Sequence, residues 1–231
     1  MAKRTRITAP IADLIDPPAG DGEPVLSPAY RWPDPAFDAR LFARAGGRLC
    51  GVDEVGRGPW AGPVVTAAVV LDRDHIPDGL ADSKLVSPAE RERLFAEIIA
   101  TADVAIGMAS VERIDRTDIR KATLWAMARA VAGLAERPTL AVFDGRDVPP
   151  GLSCAGEALI DGDMLSQSIA AASIVAKVAR DRLMSALSES FPDYGFERHK
   201  GYGTAAHQAA LARFGITPHH RRSFAPIRKL L

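Results

Sequence analysis

The sequence predicts an α/β domain built on a mixed sheet of five strands flanked by helices. Three observations carry this. Short apolar, β-branched runs interleave with segments of helical periodicity along the chain. Turn residues bound most of these runs. Three of the five runs end in acid, at Asp53-Glu54, at Asp144, and at Asp161 or Asp163.

The elements follow in order. Residues 1–35 are rich in Pro, Gly and Asp without sustained periodicity, and are expected to form a mobile or loosely docked extension. Ala39 to Arg44 begins a short helix, and the apolar run Leu49 to Val55 starts the folded domain. Pro63 to Leu71 (PVVTAAVVL) reads as a second strand, forming a hairpin with the first around the turn Gly56 to Gly62. Ser87-Pro88-Ala89-Glu90 announces a helix: serine caps it, proline suits its first turn, and Glu90 completes a capping box. Leu94, Phe95, Ile98 and Ile99 supply its buried stripe. Val104 to Val111 is a third strand, and Ile119 to Leu134 a long apolar helix whose Trp125 and Met127 are expected in the core. Leu140 to Phe143 and Ala158 to Ile160 are short buried strands. Ser166 to Leu187 is the strongest helix, opening with small residues that permit close packing. The polar loop HKGYG follows, then a helix from about Thr204 to Phe214 and the basic end HHRRSF. With no further strands, these last helices are expected as a lobe beside the sheet.

The 231 residues are 47% apolar and 25% charged, ordinary for a globular chain. No apolar run approaches the roughly 18 residues that span a bilayer. Asp13 and Asp16 interrupt the short apolar stretch after the basic N-terminus, which argues against a secretory signal. Cys50 and Cys154 form no spaced framework, so a reduced, cytoplasmic compartment and structural thiols are expected. The formal net charge is zero, yet Gly195 to Leu231 holds seven Lys or Arg against the single acid Glu197, with four of the five histidines. That local excess is the footprint of a phosphate-contacting surface; a solvated basic tail reads the same charge count.

Acids from separate strand ends can converge at one edge of a sheet. Crowded carboxylates repel unless cations neutralise them, and hard, oxygen-loving Mg²⁺ or Mn²⁺ suits that role. Two such ions about 3.5–4 Å apart can activate water and stabilise the leaving oxygen of a phosphodiester. For an arbitrary Asp-Glu pair, a charged turn between strands is the plainer reading; three acid-ended strands together favour a site. One feature resists periodicity. Neighbours on a regular strand face opposite ways, so the first strand is expected to end, twist or bulge at Asp53 and Glu54, or Glu54 to contribute from the side. GxxxxGK[ST], HExxH and GxSxG are all absent, which disfavours P-loop, zincin and nucleophile-elbow chemistry.

GVDEVGRGPWAGPVV, ADSK, FDG, DGDMLSQSIAAASIVAKVARD, FPDYGFERHKGYGT and HHRRSF resemble, in order and approximate spacing, the bacterial ribonuclease HII family. The resemblance runs from about Leu49 to Phe224, and the GVDEVGRG and HKGYGT pair is its specific part. It implies a ribonuclease H-like α/β fold over residues 36–203, with residues 1–35 as an extension before it and 204–231 as a basic helical extension packed on it. The implied activity is cleavage of the RNA strand of RNA–DNA hybrids. It includes incision of DNA duplexes 5′ to an embedded ribonucleotide, leaving a 3′-hydroxyl and a 5′-phosphate. The carried-over metal ligands are Asp53, Glu54, Asp144 and Asp163, the last preferred to Asp161 because it follows a glycine and precedes the long helix. Gly56, Arg57 and Gly58 match the element that contacts the 2′-hydroxyl through backbone groups. Tyr202 matches the tyrosine that packs against the adjoining sugar. Lys84, Lys177, Arg180, Lys200, Arg221 and Arg222 are candidate phosphate contacts, which would position a duplex without reading its sequence.

Where the family often shows DSKKLS this chain has DSKLVS, which puts a phosphate contact there in doubt. The segment before the domain is too short for the extra N-terminal domain of the related ribonuclease HIII family, and an aspartate as fourth acid also favours HII. Two other classes compete: a catalytically silent hybrid-binding protein, and a metal-dependent DNA nuclease on the same fold. Intact acids oppose the first. The glycine-arginine-glycine turn and Tyr202 oppose the second, because a DNA enzyme needs no 2′-hydroxyl reader. A monomer is the default, since nothing in the sequence marks an interface.

Overall fold

The computed structural model describes residues 33–231. The extension expected over 1–35 lies outside the described residues as far as residue 32. Asp34 already caps helix α1 (Pro35–Ala45), its side chain accepting from the Ala36 N–H, so this helix starts earlier than its periodicity suggests.

Strand β1 (Leu49–Val55) lies at the centre of a five-stranded sheet of order β3-β2-β1-β4-β5. It pairs antiparallel with β2 (Val64–Val70) as the expected hairpin, and β2 pairs antiparallel with β3 (Asp103–Ala109). On its other side β1 runs parallel to β4 (Leu140–Asp144), which is parallel to β5 (Ala155–Leu159). The sheet is therefore mixed, as expected. β3 ends at Ala109 because Ser110 caps a short helix, α3 (Val111–Arg116), which the expectation of a strand to Val111 overran. β5 begins three residues earlier than expected. Its Ala-Gly-Glu opening has little strand propensity, and only pairing with Leu140 to Val142 holds it extended. Ile160 lies beyond it, exposed.

Helices cover both faces. α2 (Pro88–Thr101) and α6 (Gln167–Ser190) pack on one face, and α4 (Ile119–Ala132) on the other. The alanines 170, 171, 172 and 176 of α6 are fully buried, as their size suggested. At Gly51 of β1 the approach is closest: a Cβ there would stand 2.1 Å from the Ser168 carbonyl carbon. In α2 the Ser87 hydroxyl accepts the Glu90 N–H, but the Glu90 carboxylate binds Arg93, so the capping box is only half made. Leu94 and Ile98 form the buried stripe, each worth about 1.5–3 kcal/mol. Ile99, a further 100° round the helix, is 46% exposed. Met127 is in the core as expected. Trp125 is not: it is 38% exposed, with the Arg113 guanidinium 3.7 Å over its ring.

A short helix, α5 (Gly162–Leu165), precedes α6, and after α6 come a 3₁₀ turn (Pro192–Tyr194) and helices α7 (Phe196–His199), α8 (Ala205–Phe214) and α9 (Ala225–Arg228). Tyr194, Phe196, Ala210, Leu211 and Ile227 pack on Met184 of α6 and on Ala61 of the β1–β2 turn. The C-terminal lobe is thus anchored to the same turn that follows the acid pair.

Replacing Gly51 by Ala should push β1 and the start of α6 apart. An overpacking loss of about 2 kcal/mol is expected, read from urea unfolding.

Candidate active site

The four acids gather at one end of the sheet. β1 stays regular through them: Asp53 pairs with Ala67, Glu54 with Thr66, and Val55 with Val65. No bulge re-aims either side chain. Asp53, 5% exposed, points to the α6 face with Gly51, whereas Glu54 points to the α4 face, where it lines a cleft with Arg57, Arg120, Asp144, Arg146 and Asp147. The expected end or bulge at the pair is not found: the strand stays paired through Val55, and the two side chains face opposite sides of the sheet. Asp144 ends β4 next in register to Asp53, and its Oδ1 accepts the Gly162 N–H at 2.8 Å. That bond fixes the start of α5, where Asp163 is buried and Asp161 is exposed in a left-handed conformation (φ 54°).

Burial first, and the Glu54 and Asp144 carboxylates second, hold the Asp53 carboxyl well above the ordinary carboxylate range. Burial and Asp144 push Asp163 up to about 6. Burial also raises Asp144, against the bond from Gly162, and raises Glu54, against the attraction of Arg57 at 3.3 Å. Such a set of oxygen donors fits a hard divalent cation, which requires only one or two carboxylates and retains several waters. Among the described residues, no three acid, histidine or cysteine side chains are placed together so as to hold a metal ion among them.

The turn beyond the acids is held from behind. Gly56 has φ +90°, and a Cβ on it would meet the Arg180 Nε at 2.1 Å. Arg180 and Arg221 are both fully buried. Arg221 donates to the carbonyls of Gly56 (2.6 Å), Arg57 (2.8 Å) and Gly62 (2.9 Å). Arg180 donates to those of Ala61, Pro63 and Lys200. Burial lowers both guanidinium groups, Arg180 to about 10 and Arg221 to about 9. The expectation that these two contact phosphate is therefore corrected: their donors are spent on backbone and their side chains are sealed from solvent. Two other candidates are engaged as well, Lys177 with Asp181 at 2.9 Å and Lys200 with the Asp181 carbonyl and Ser185 hydroxyl. Lys84 and Arg222 are exposed, with Lys84 Nζ 3.4 Å from Asp82 and in the field of Asp163 and Asp53. Tyr202, 47% exposed, lies against the turn, its Cε1 3.6 Å from where a Gly58 Cβ would stand. The Trp60 N–H donates to the Gly201 carbonyl at 2.8 Å, stitching the tyrosine's loop to the turn.

Sequence reasoning missed Arg120 and Arg146 beside Glu54. The FDG motif, directly before Arg146, was the available signal; for Arg120, at the start of α4, only the fold reveals the proximity.

A family model described as ribonuclease HII matches residues 50–227. The chain belongs to the ribonuclease HII family. Ribonuclease HII of Xanthobacter autotrophicus is 59% identical over 189 residues, 82% of this chain and 76% of that one. Its counterpart in Jannaschia sp. is 56% identical over 194 residues, 84% and 98% of the two chains. The crystal structure of ribonuclease H2 from Pyrococcus horikoshii OT3 matches with a TM-score of 0.68 at 28% identity, over 79% of this chain and 96% of that one. The fold is accordingly ribonuclease H-like, and membership makes the chain a metal-dependent type 2 ribonuclease H acting on RNA–DNA hybrids. No described helix is long and apolar enough to cross a membrane.

Asp163 titrates near 3.8 when unfolded and near 6 when folded, so metal-free protein loses stability as pH rises between those values. Asp163→Asn removes the buried charge. Without metal it should melt higher than wild type above pH 6 and no higher below about pH 4. Added Mg²⁺ should raise the melting temperature of wild type more than that of the variant.

Proposed function

We propose that this protein incises duplexes 5′ to a ribonucleotide, using two divalent ions, Mg²⁺ or Mn²⁺, held by Asp53, Glu54, Asp144 and Asp163. When bound, such ions supply an activated water and charge stabilisation for in-line displacement, leaving a 3′-hydroxyl and a 5′-phosphate. The chain's own residues orient the phosphate and choose where it is cut. The observation that carries the reading is the direction of the turn's peptides.

Arg221 holds the Gly56 and Arg57 carbonyls inward. No described peptide is cis, so the N–H groups of Arg57 and Gly58, on the same two peptide planes, point the opposite way. Arg57 and Gly58 are exposed there, one next to Glu54 and the other beside Tyr202. Outward backbone donors at that place suit a 2′-hydroxyl, the atom that marks RNA. The Tyr202 ring supplies a surface for the neighbouring sugar. Lys84 and Arg222 remain as exposed phosphate contacts, and Arg57, Arg120 and Arg146 add positive charge around Glu54.

The test is a DNA duplex bearing one ribonucleotide, incubated with Mg²⁺ or Mn²⁺ and mapped at nucleotide resolution. A single cut 5′ to the ribonucleotide is expected, with an all-DNA control intact. Loss of groups that merely support a metal ligand costs 10–100-fold, so Asp144→Asn should lower turnover by at least about 100-fold while retaining duplex binding. Binding without cutting by the wild type would instead favour the silent hybrid-binding protein. Tyr202→Ala should slow cleavage at a single ribonucleotide by about tenfold or more, and metal-induced stabilisation should stay at the wild-type value.

A further inference from the structure

Behind Tyr202 lies a buried row of imidazoles that the reaction does not use. His207 and His220 are both buried, and their Nε2 atoms stand 2.9 Å apart. The Nδ1 of His220 takes the Thr217 N–H at 2.9 Å, so that nitrogen carries the lone pair and its Nε2 carries the proton. The Nδ1 of His207 faces the Tyr202 carbonyl at 2.9 Å, an oxygen that only accepts, so that nitrogen carries the proton and its Nε2 the lone pair. The two assignments, made from opposite ends, agree at the shared bond: His220 Nε2–H donates to His207 Nε2. His199, stacked on His207 with ring centroids 4.5 Å apart, obeys the same logic. Its Nδ1 accepts from Gly201 N–H, and its Nε2 donates to the Tyr194 carbonyl.

We propose that His220 and His207 are positioning residues for Tyr202, a one-way chain of N–H donors running from Thr217 to the Tyr202 carbonyl. This rests on the reading of Tyr202 given above. The chain completes a clamp on the tyrosine's backbone, whose N–H donates to the His199 carbonyl and whose carbonyl also accepts from the Thr204 N–H. With both ends of that residue pinned, its exposed ring is held at Gly58 although nothing covers its outer side. The neutral state of His207 matters most, because a proton on its Nε2 would set two donors face to face across 2.9 Å, whereas His220 Nδ1 has the Thr217 hydroxyl at 2.9 Å beside the Thr217 N–H. Their surroundings favour neutrality. Burial lowers His207, and burial together with His207 lowers His220 to about 4. The groups facing them are the imidazoles of His199 and His219 and the rings of Trp60, Tyr194 and Phe196, which offer no negative charge.

Long-range ¹⁵N–¹H spectra of the wild-type histidines at pH 7 test the chain directly. Neutral His207 protonated at Nδ1 and neutral His220 protonated at Nε2 are expected; either tautomer reversed, or either ring charged, overturns the proposal. In His207→Asn the amide nitrogen stands near the place of Nδ1 and can still donate to the Tyr202 carbonyl, whereas His207→Leu cannot. Amide hydrogen exchange over Gly201 to Thr204 should therefore rise in His207→Leu and stay near wild type in His207→Asn. Unchanged exchange in His207→Leu overturns the proposal. Cleavage at a single ribonucleotide should fall about tenfold in His207→Leu and recover in His207→Asn, and His207→Leu should add nothing to Tyr202→Ala. If Tyr202→Ala itself leaves cleavage unchanged, the substrate role of the tyrosine fails, and tautomers and exchange still decide the chain. Should His207→Leu fail to fold, the wild-type spectra alone remain decisive.

Discussion

Two buried guanidinium groups, Arg180 and Arg221, determine the shape of the working edge of this protein. Neither is paired with a carboxylate in the hydrogen bonds that hold it; each spends its donors on three main-chain carbonyls. Burying a charge is costly unless its donors are satisfied, and here the fork geometry of arginine satisfies them with backbone that could not otherwise be turned inward. Four chain segments are joined in this way: the turn after β1, the middle of α6, the loop after α7 at Lys200, and the basic segment after α8. Lysine in either place would offer a point charge with no fork, and could not hold three carbonyls in one plane.

That constraint also sets which groups the turn presents to solvent. Peptide planarity converts an inward carbonyl into an outward N–H, so the side of the turn that meets solvent is dictated by the side that meets Arg221. The tyrosine loop is fixed to the same frame by Trp60 and by the imidazole row. Two features distant in sequence, the turn and Tyr202, therefore keep a constant relation to the acids.

Much of this was legible in the sequence. Five strands and the principal helices follow from periodicity and caps, and the acids at strand ends follow from the same reading. The buried role of Arg180 and Arg221 was not legible, because a basic residue in a basic segment looks like surface, and only the fold shows that carbonyls surround it. Trp125 and Ile99 were misplaced for a related reason: apolar character fixes a preference for burial, while rotation about the helix axis decides whether a neighbour is there to provide it. The start of β5 has no propensity signal, since pairing with β4 imposes it. The histidines were read with the positive charge of the basic segment, yet two of them, His207 and His220, are buried against each other.

The regularity of β1 shapes the chemistry most. Because the strand does not bulge, Asp53 and Glu54 lie on opposite faces of the sheet, and a site using both must straddle its end. Parallel pairing of Val52 with Phe143 brings Asp144 alongside, where it adds to the field at Asp53, Glu54 and Asp163 alike. The two halves of the site meet at that residue. Desolvation is the largest penalty on all four carboxylates, and repulsion between acids adds to it, so the fold carries an electrostatic cost that a cation bound there would offset. A chain built for stability alone would not gather four acids at one sheet end, beside a turn braced with two buried guanidinium groups; that cost is what a cation held there would relieve.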